Sequence, residues 1–164
     1  MRFRSLSIGL VFACASISVA QSALAMYTDG LQQGWQSWSW ATVNMNNASP
    51  VHSGTKSIAV TMGGWQALSF NRSDVDTSIY KSIRFWVHGG ANGGQRFRVV
   101  ALVGGQAATQ SVAIGPIAKN VWTQHEVPLS SIGGSGVRNL TGIWFQSSVR
   151  GFSSFFHRFL AARN

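Results

Sequence analysis

Two short stretches constrain this chain more than any other feature. In Ser82–His88, the apolar Ile83, Phe85 and Val87 alternate with Arg84, Trp86 and His88. In Arg96–Val103, the apolar Phe97, Val99, Ala101 and Val103 lie opposite Arg96 and Arg98. A period of two sends successive side chains to opposite faces of a strand, so each stretch has one face to bury and one to turn outward. Further runs of β-forming residues are Trp35–Val43, Ser57–Met62, Gln66–Phe70, Gln110–Ile114, Trp122–Val127 and Thr141–Ser147. Between them lie Asn44–Pro50, Gly63-Gly64, Gly89–Gly94, Gly104-Gly105 and Gly133–Gly136, which supply turn chemistry. No stretch sustains an apolar period of 3.6. The pattern predicts an all-β sandwich or barrel without long helices.

The N-terminus reads differently. Arg2 and Arg4 precede an uncharged apolar run from Leu6 to Ala20, and Ala23-Leu24-Ala25 follows with small residues where a signal peptidase reads them. These are the three parts of a secretory signal, with cleavage expected after Ala25, and the run is short for a membrane span. Residues 1–25 are therefore read as a signal peptide, and the product as secreted or periplasmic. A lipoprotein would use Cys14, but Phe12 stands two residues before it, where a small residue is wanted. An uncleaved anchor is the other alternative. Cleavage would remove the single cysteine, leaving no disulfide and no thiolate metal site.

Charge needs dividing by region. The net charge is +9, yet Arg2 and Arg4 belong to the signal and Arg150, Arg158 and Arg163 to the extreme C-terminus. The remaining bases form no helix or cluster suited to phosphates, so nucleic acid is not an expected partner. After cleavage no membrane association is expected, and the domain is read as a monomer. Charged residues make up only 10% of the chain, and all seven tryptophans lie beyond the signal. That balance favours a packed domain over disorder.

The order of several motifs carries a family resemblance. Tyr27-Thr28-Asp29-Gly30-Leu31, Gly34-Trp35 and Trp38-Ser39-Trp40 open it, followed by His52-Ser53-Gly54-Thr55-Lys56-Ser57-Ile58 and Ile83-Arg84-Phe85-Trp86-Val87-His88-Gly89-Gly90. Trp122, Val127-Pro128-Leu129 and Leu140-Thr141-Gly142-Ile143-Trp144-Phe145-Gln146 complete it. From Tyr27 to Gln146 the chain resembles galactose-binding-like modules, akin to the carbohydrate-binding modules of secreted polysaccharide-active proteins. The resemblance implies a jelly-roll β-sandwich of two antiparallel sheets over residues 26–149, with a polysaccharide or oligosaccharide as partner. An extracellular interaction or assembly domain without sugar binding is the alternative on the same scaffold.

Sugar binding gives the tryptophans a use. An indole covers the apolar C–H face of a pyranose, while amides and guanidinium groups meet the hydroxyls around its edge. Trp38, Trp40, Trp65, Trp86 and Trp144 are the stacking candidates, with Gln36, Arg84, His88 and Gln146 as polar partners. Trp35, Trp122 and one of Trp38 and Trp40 are expected in the core. Trp86 is singled out as an outward indole between Arg84 and His88, although a covering loop would account for it equally well.

Catalysis has few groups to use. The acids are Asp29, Asp74, Asp76 and Glu126, and no two of them suggest carboxylates facing each other across a substrate. No Gly-x-Ser-x-Gly elbow occurs, and His52, His88, His125 and His157 lack metal-ligand spacing. The chain is read as non-enzymatic. The resemblance implies one cofactor, a structural calcium ion held by Asp29 with carbonyls around Gly54 and Lys56. Its relatives add an aspartate from a closing strand, where this chain has Phe155-Phe156-His157-Arg158. Residues 150–164 are thus an atypical tail with two readings. One inserted cytosine would turn Ile-Asp codons ATC-GAC into His-Arg, a frameshifted closing strand. Alternatively the tail is divergent, with Phe155 and Phe156 still pairing.

Overall fold

Residues that alternate in the sequence pair in space as two stacked sheets. The computed structural model describes residues 23–147 and 152–162. The strands are β1 Leu24–Tyr27, β2 Gln36–Ser37, β3 Thr42–Asn47, β4 Ser57–Met62, β5 Ala67–Val75, β6 Ser82–His88, β7 Phe97–Val103, β8 Gln106–Ile114, β9 Trp122–Pro128, β10 Leu140–Gln146 and β11 Phe152–Ala162. A short 3-10 helix, Leu129–Ile132, follows β9. One sheet has the order β3-β4-β11-β6-β9, with β1 added beside β11; the other runs β2-β5-β10-β7-β8. All pairings between these strands are antiparallel. This is the all-β jelly-roll sandwich implied by the sequence.

The core lies between the sheets. Phe145 contacts the rings of Phe70, Phe85, Phe97 and Phe156 at centroid distances of 5.0–6.2 Å, tilted or edge-on. Ile83, Phe85 and Val87 of β6 and Phe97, Val99 and Ala101 of β7 are buried around this cluster. Such ring pairs contribute on the order of 1 kcal/mol beyond simple burial.

Two expectations need correction. The run Trp35–Val43 is not one strand: β2 ends at Ser37 in one sheet, and the chain enters the other sheet at Thr42. Asn44–Asn47, read as turn, belongs to β3. A closing strand is present as expected: β11 sits between β4 and β6, pairing Phe155 and Phe156 with Ala59 and Ile58 on one side and with His88 and Val87 on the other. Phe156 is fully buried. The position of Phe155-Phe156 in the closing strand holds for either reading of the codons.

At the other end, β1 begins before the expected cleavage point. Leu24 and Ala25 pair with Ala161 and Leu160, and Leu24 packs against the core. Cleavage after Ala25 would therefore shorten β1. Most of the signal segment, residues 1–22, lies outside the described residues.

One half-buried group is expected to make the fold sensitive to acid. His125 pairs with Phe85 on the inner side of β9, its ring stacked on that phenyl at 5.6 Å. Its Nε2 is buried without a hydrogen-bond partner among the described residues. Burial pushes the imidazole below its ordinary value of 6.5. The unfolded chain then binds the proton first as pH falls. Stability should drop as pH passes down through about 6.5 and level off below the folded-state value. The melting temperature from about pH 7.5 to about pH 5 should decline, with a shallower slope in His125→Phe. A slope unchanged by that substitution would contradict this assignment.

Candidate functional site

The outward side chains of β5, β10 and β7 meet in lateral rows. Trp144 lies beside Ser69 and Val100, Gln146 beside Ala67 and Arg98, and Gly142 beside Asn71 and Leu102. Gln36 of β2 continues the row of Asn71. Ala67 and Ser69 are small, so β5 forms a trough between larger neighbours. The trough is a groove of about 730 Å³ lined by Gln36, Trp38, Trp40, Asn71, Arg72 and Trp144, with Ser69 in its floor.

Backbone pairing holds the first wall. After β2 the chain still bonds to β5, through Trp38 N–H to the Ser69 carbonyl and through the N–H groups of Trp40 and Ala41 to that of Ala67. No layer covers this segment, which leaves Trp38 65% and Trp40 41% exposed. The Trp38 indole N–H donates to Gln36 Oε1 at 3.1 Å, fixing the ring. Trp40 meets Trp144 edge-on, with centroids 5.0 Å apart and planes at 85°.

A second set of bonds ties Trp65 to this wall. Its carbonyl accepts from the Trp40 indole at 2.7 Å and from Gln146 Nε2 at 3.1 Å, and its N–H donates to the Ser147 carbonyl at 2.8 Å. Arg98 donates through two nitrogens to Gln146 Oε1, at 3.0 and 2.6 Å, and its guanidinium lies 5.6 Å from the Trp65 ring centre. Trp65 itself has φ +66, a left-handed conformation that a bulky residue adopts only when its surroundings hold it there. These bonds hold it, and its ring stays 61% exposed.

The floor is polar and tightly built. Ser69 Oγ donates to Asn71 Oδ1 at 2.5 Å. A Cβ on Gly142 would stand 2.7 Å from the Phe70 carbonyl and 2.9 Å from Asn71 Nδ2, so only glycine leaves the asparagine amide in place.

The structure thus gathers Trp38, Trp40, Trp65, Trp144, Gln36 and Gln146 on one face. The other candidates lie on the opposite sheet, where each already has a partner. His52 covers Trp86, its ring stacked at 3.8 Å and 22°, and meets Trp122 edge-on at 5.7 Å. Arg84 Nε bonds to Glu126 Oε2 at 3.0 Å. His88 is buried and accepts the Gly90 N–H at Nδ1, 3.0 Å away; burial pushes it below the usual histidine value, against a hydrogen bond to the Asn120 backbone. The outward placement of Trp86 holds, but a loop covers it. Of the tryptophans expected in the core, only Trp35 is there; Trp122 is half-buried on the outer face, and both Trp38 and Trp40 are exposed.

The sequence analysis missed Ser69, Asn71, Arg72 and Arg98. Arg98 had been placed on an outward face, but its partner Gln146 is distant in sequence. Ser69 and Asn71 lie opposite Leu68 and Phe70, an alternation that would have marked them.

The acids stay out of the groove. Asp29 Oδ1 accepts the N–H groups of Thr55 and Lys56, each at 2.9 Å. Gly54 approaches the same carboxylate so closely that a Cβ would overlap it. Tyr27, buried beside it, is pushed up to about 12 by burial and then by the charge of Asp29. Asp76 takes the N–H of Ser78, and Glu126 is held by Arg84.

Comparison with known proteins follows this geometry. Residues 26–150 match the model of the expansin-like protein C-terminal domain. The chain belongs to that family. An endoglucanase of Dictyostelium discoideum is 31% identical over 132 residues, covering 76% of this chain and 18% of the relative. Expansin-like protein 7 of the same organism is 39% identical over 77 residues, covering 43% of the chain and 14% of the relative. The chain therefore spans less than a fifth of either relative. Among solved structures, a family 29 carbohydrate-binding module superposes with a TM-score of 0.61 at 13% identity, over 87% of this chain and 92% of that one. The family 11 module of a cellulosomal cellulase of Clostridium thermocellum gives 0.56 at 19% identity, over 87% and 96%. The fold is that of carbohydrate-binding modules.

The calcium expectation fits the expansin-like domain poorly. A hard cation wants six to eight oxygen ligands with ample negative charge. Here the loop turns N–H donors toward Asp29, and no group of three or more His, Cys, Asp or Glu side chains converges among the described residues. The melting temperature should be the same in calcium and in chelator. Asp29→Ala should lower it in both, by roughly 1 kcal/mol of stability, since it removes two loop hydrogen bonds that water can partly replace. A calcium-dependent rise would restore the metal.

Proposed function

We propose that this domain is a non-catalytic polysaccharide-binding module of an exported protein, with the groove across β5 and β10 as its sugar site. The observation that carries the reading is the convergence of four tryptophans from three separate segments on one sheet face. Trp38, Trp65 and Trp40 are among the most exposed large apolar side chains of the described residues. Hydrogen bonds hold the Trp38 and Trp40 indoles and the Trp65 backbone where packing does not, so their exposure is maintained by the fold rather than left over from it. The amides and guanidinium groups between them can meet sugar hydroxyls.

The comparisons support this reading without supplying it. Family 29 modules were solved with mannohexaose and with cellulohexaose bound, and the endoglucanase relative is named for an activity on a polysaccharide. No carboxylate lines the groove, so a two-carboxylate hydrolysis has no groups there to use. The expected signal peptide agrees with a substrate outside the cell.

Pull-down of the protein with cellulose, xylan, chitin and mixed β-glucans tests the proposal. At least one polymer should retain it, and Trp144→Ala or Trp38→Ala should weaken retention at least tenfold, a loss of about 1.4 kcal/mol. Trp38→Ala should leave the melting temperature nearly unchanged, and Trp86→Ala should not affect retention. Failure to bind any polymer would favour an assembly domain instead.

A further inference from the structure

We infer that the groove takes a single soluble glycan chain along its length, and not the flat face of a crystalline polymer. This rests on the sugar-site reading above and adds the form of the ligand.

A crystalline face is planar, so side chains that bind it by stacking must present their rings in one plane. The two indoles that meet in the wall of this groove do not. Trp40 and Trp144 stand at 85° to each other, with centroids 5.0 Å apart, so a plane lying flat on one meets the edge of the other. The angle is fixed by separate bonds. The Trp40 indole is tied to the Trp65 carbonyl, and Trp144 is set by its place in β10 between Ser69 and Val100. Turning Trp40 to flatten the pair would break the 2.7 Å bond.

The polar lining of the groove points the same way. Ser69 and Asn71 are almost wholly buried and bonded to each other, so the polar groups open to a ligand between Trp38 and Trp144 are those of Gln36, Arg72 and Ser73. A rigid sheet of chains resting on the indoles would leave those groups unreached, whereas one chain lying in the groove can exchange hydrogen bonds with Gln36, Arg72 and Ser73. From Ser69 to Ser73 the strand lining the groove spans roughly 13 Å, enough for two or three sugar rings in a row. The perpendicular indoles then suit one chain, with one ring beneath a pyranose face and the other against its edge.

Two measurements separate this from a flat-surface mode. Titration calorimetry with cellulohexaose and mannohexaose should give saturable binding to at least one, weakened at least tenfold in Trp144→Ala. The same hexasaccharide in excess should release the protein from amorphous cellulose or mannan. Retention on microcrystalline cellulose that excess hexasaccharide does not release, with no heat from either hexasaccharide, would overturn the inference while leaving the sugar-site reading intact. Absence of binding to every soluble and insoluble glycan would overturn both.

Discussion

Everything on the outer face depends on the direction in which Phe145 points. Its ring is the hub of the inter-sheet cluster, touching Phe70, Phe85, Phe97 and Phe156. Because side chains on a strand alternate, an inward Phe145 sends Trp144 and Gln146 outward. Slipping β10 by one residue would bury Trp144 and Gln146 and expose the cluster's centre. Core packing thus sets the phase of the binding face. The energy that holds Trp144 in view comes from the apolar contacts behind it.

The face also depends on a break in a strand. Had Trp35–Val43 remained one strand with Trp35 inward, Trp38 and Trp40 would stay on the outward face of Gln36, but Val43 could not reach the other sheet, where it pairs with Val60. The chain instead leaves β2 after Ser37 and crosses to the other sheet. Between the two, backbone bonds to β5 keep the segment extended while nothing packs over it. Its indoles therefore find their fixed points in side chains and carbonyls: Gln36 for Trp38, and the Trp65 backbone for Trp40. The strained backbone of Trp65 belongs to the same arrangement, since its carbonyl serves two donors at once.

Much of the fold was legible in the sequence because it follows from local alternation. The limits of β6 come directly from Ser82–His88, and the core side of β7 from Phe97, Val99 and Ala101. The candidate site was legible only in part. Trp38, Trp40, Trp65, Trp144, Gln36 and Gln146 converge as stacking and polar candidates, but alternation cannot say which sheet a strand joins. Arg84, Trp86 and His88 went astray for that reason, and because His52, from a distant loop, covers Trp86. In the tail the closing strand was legible only at Phe155-Phe156. It lacks the Gly and Asn punctuation of the earlier strands, yet its backbone closes the centre of a sheet, where neighbours on both sides dictate the conformation.

The central claim is that the β5–β10 face is the sugar site. Indole N–H resonances of the tryptophans, followed by NMR during titration with cellulohexaose or mannohexaose, test it residue by residue. The account predicts shifts in Trp38, Trp40 and Trp144, with Trp86 and Trp122 unmoved on the opposite sheet. Shifts confined to Trp86 and Trp122 would contradict it.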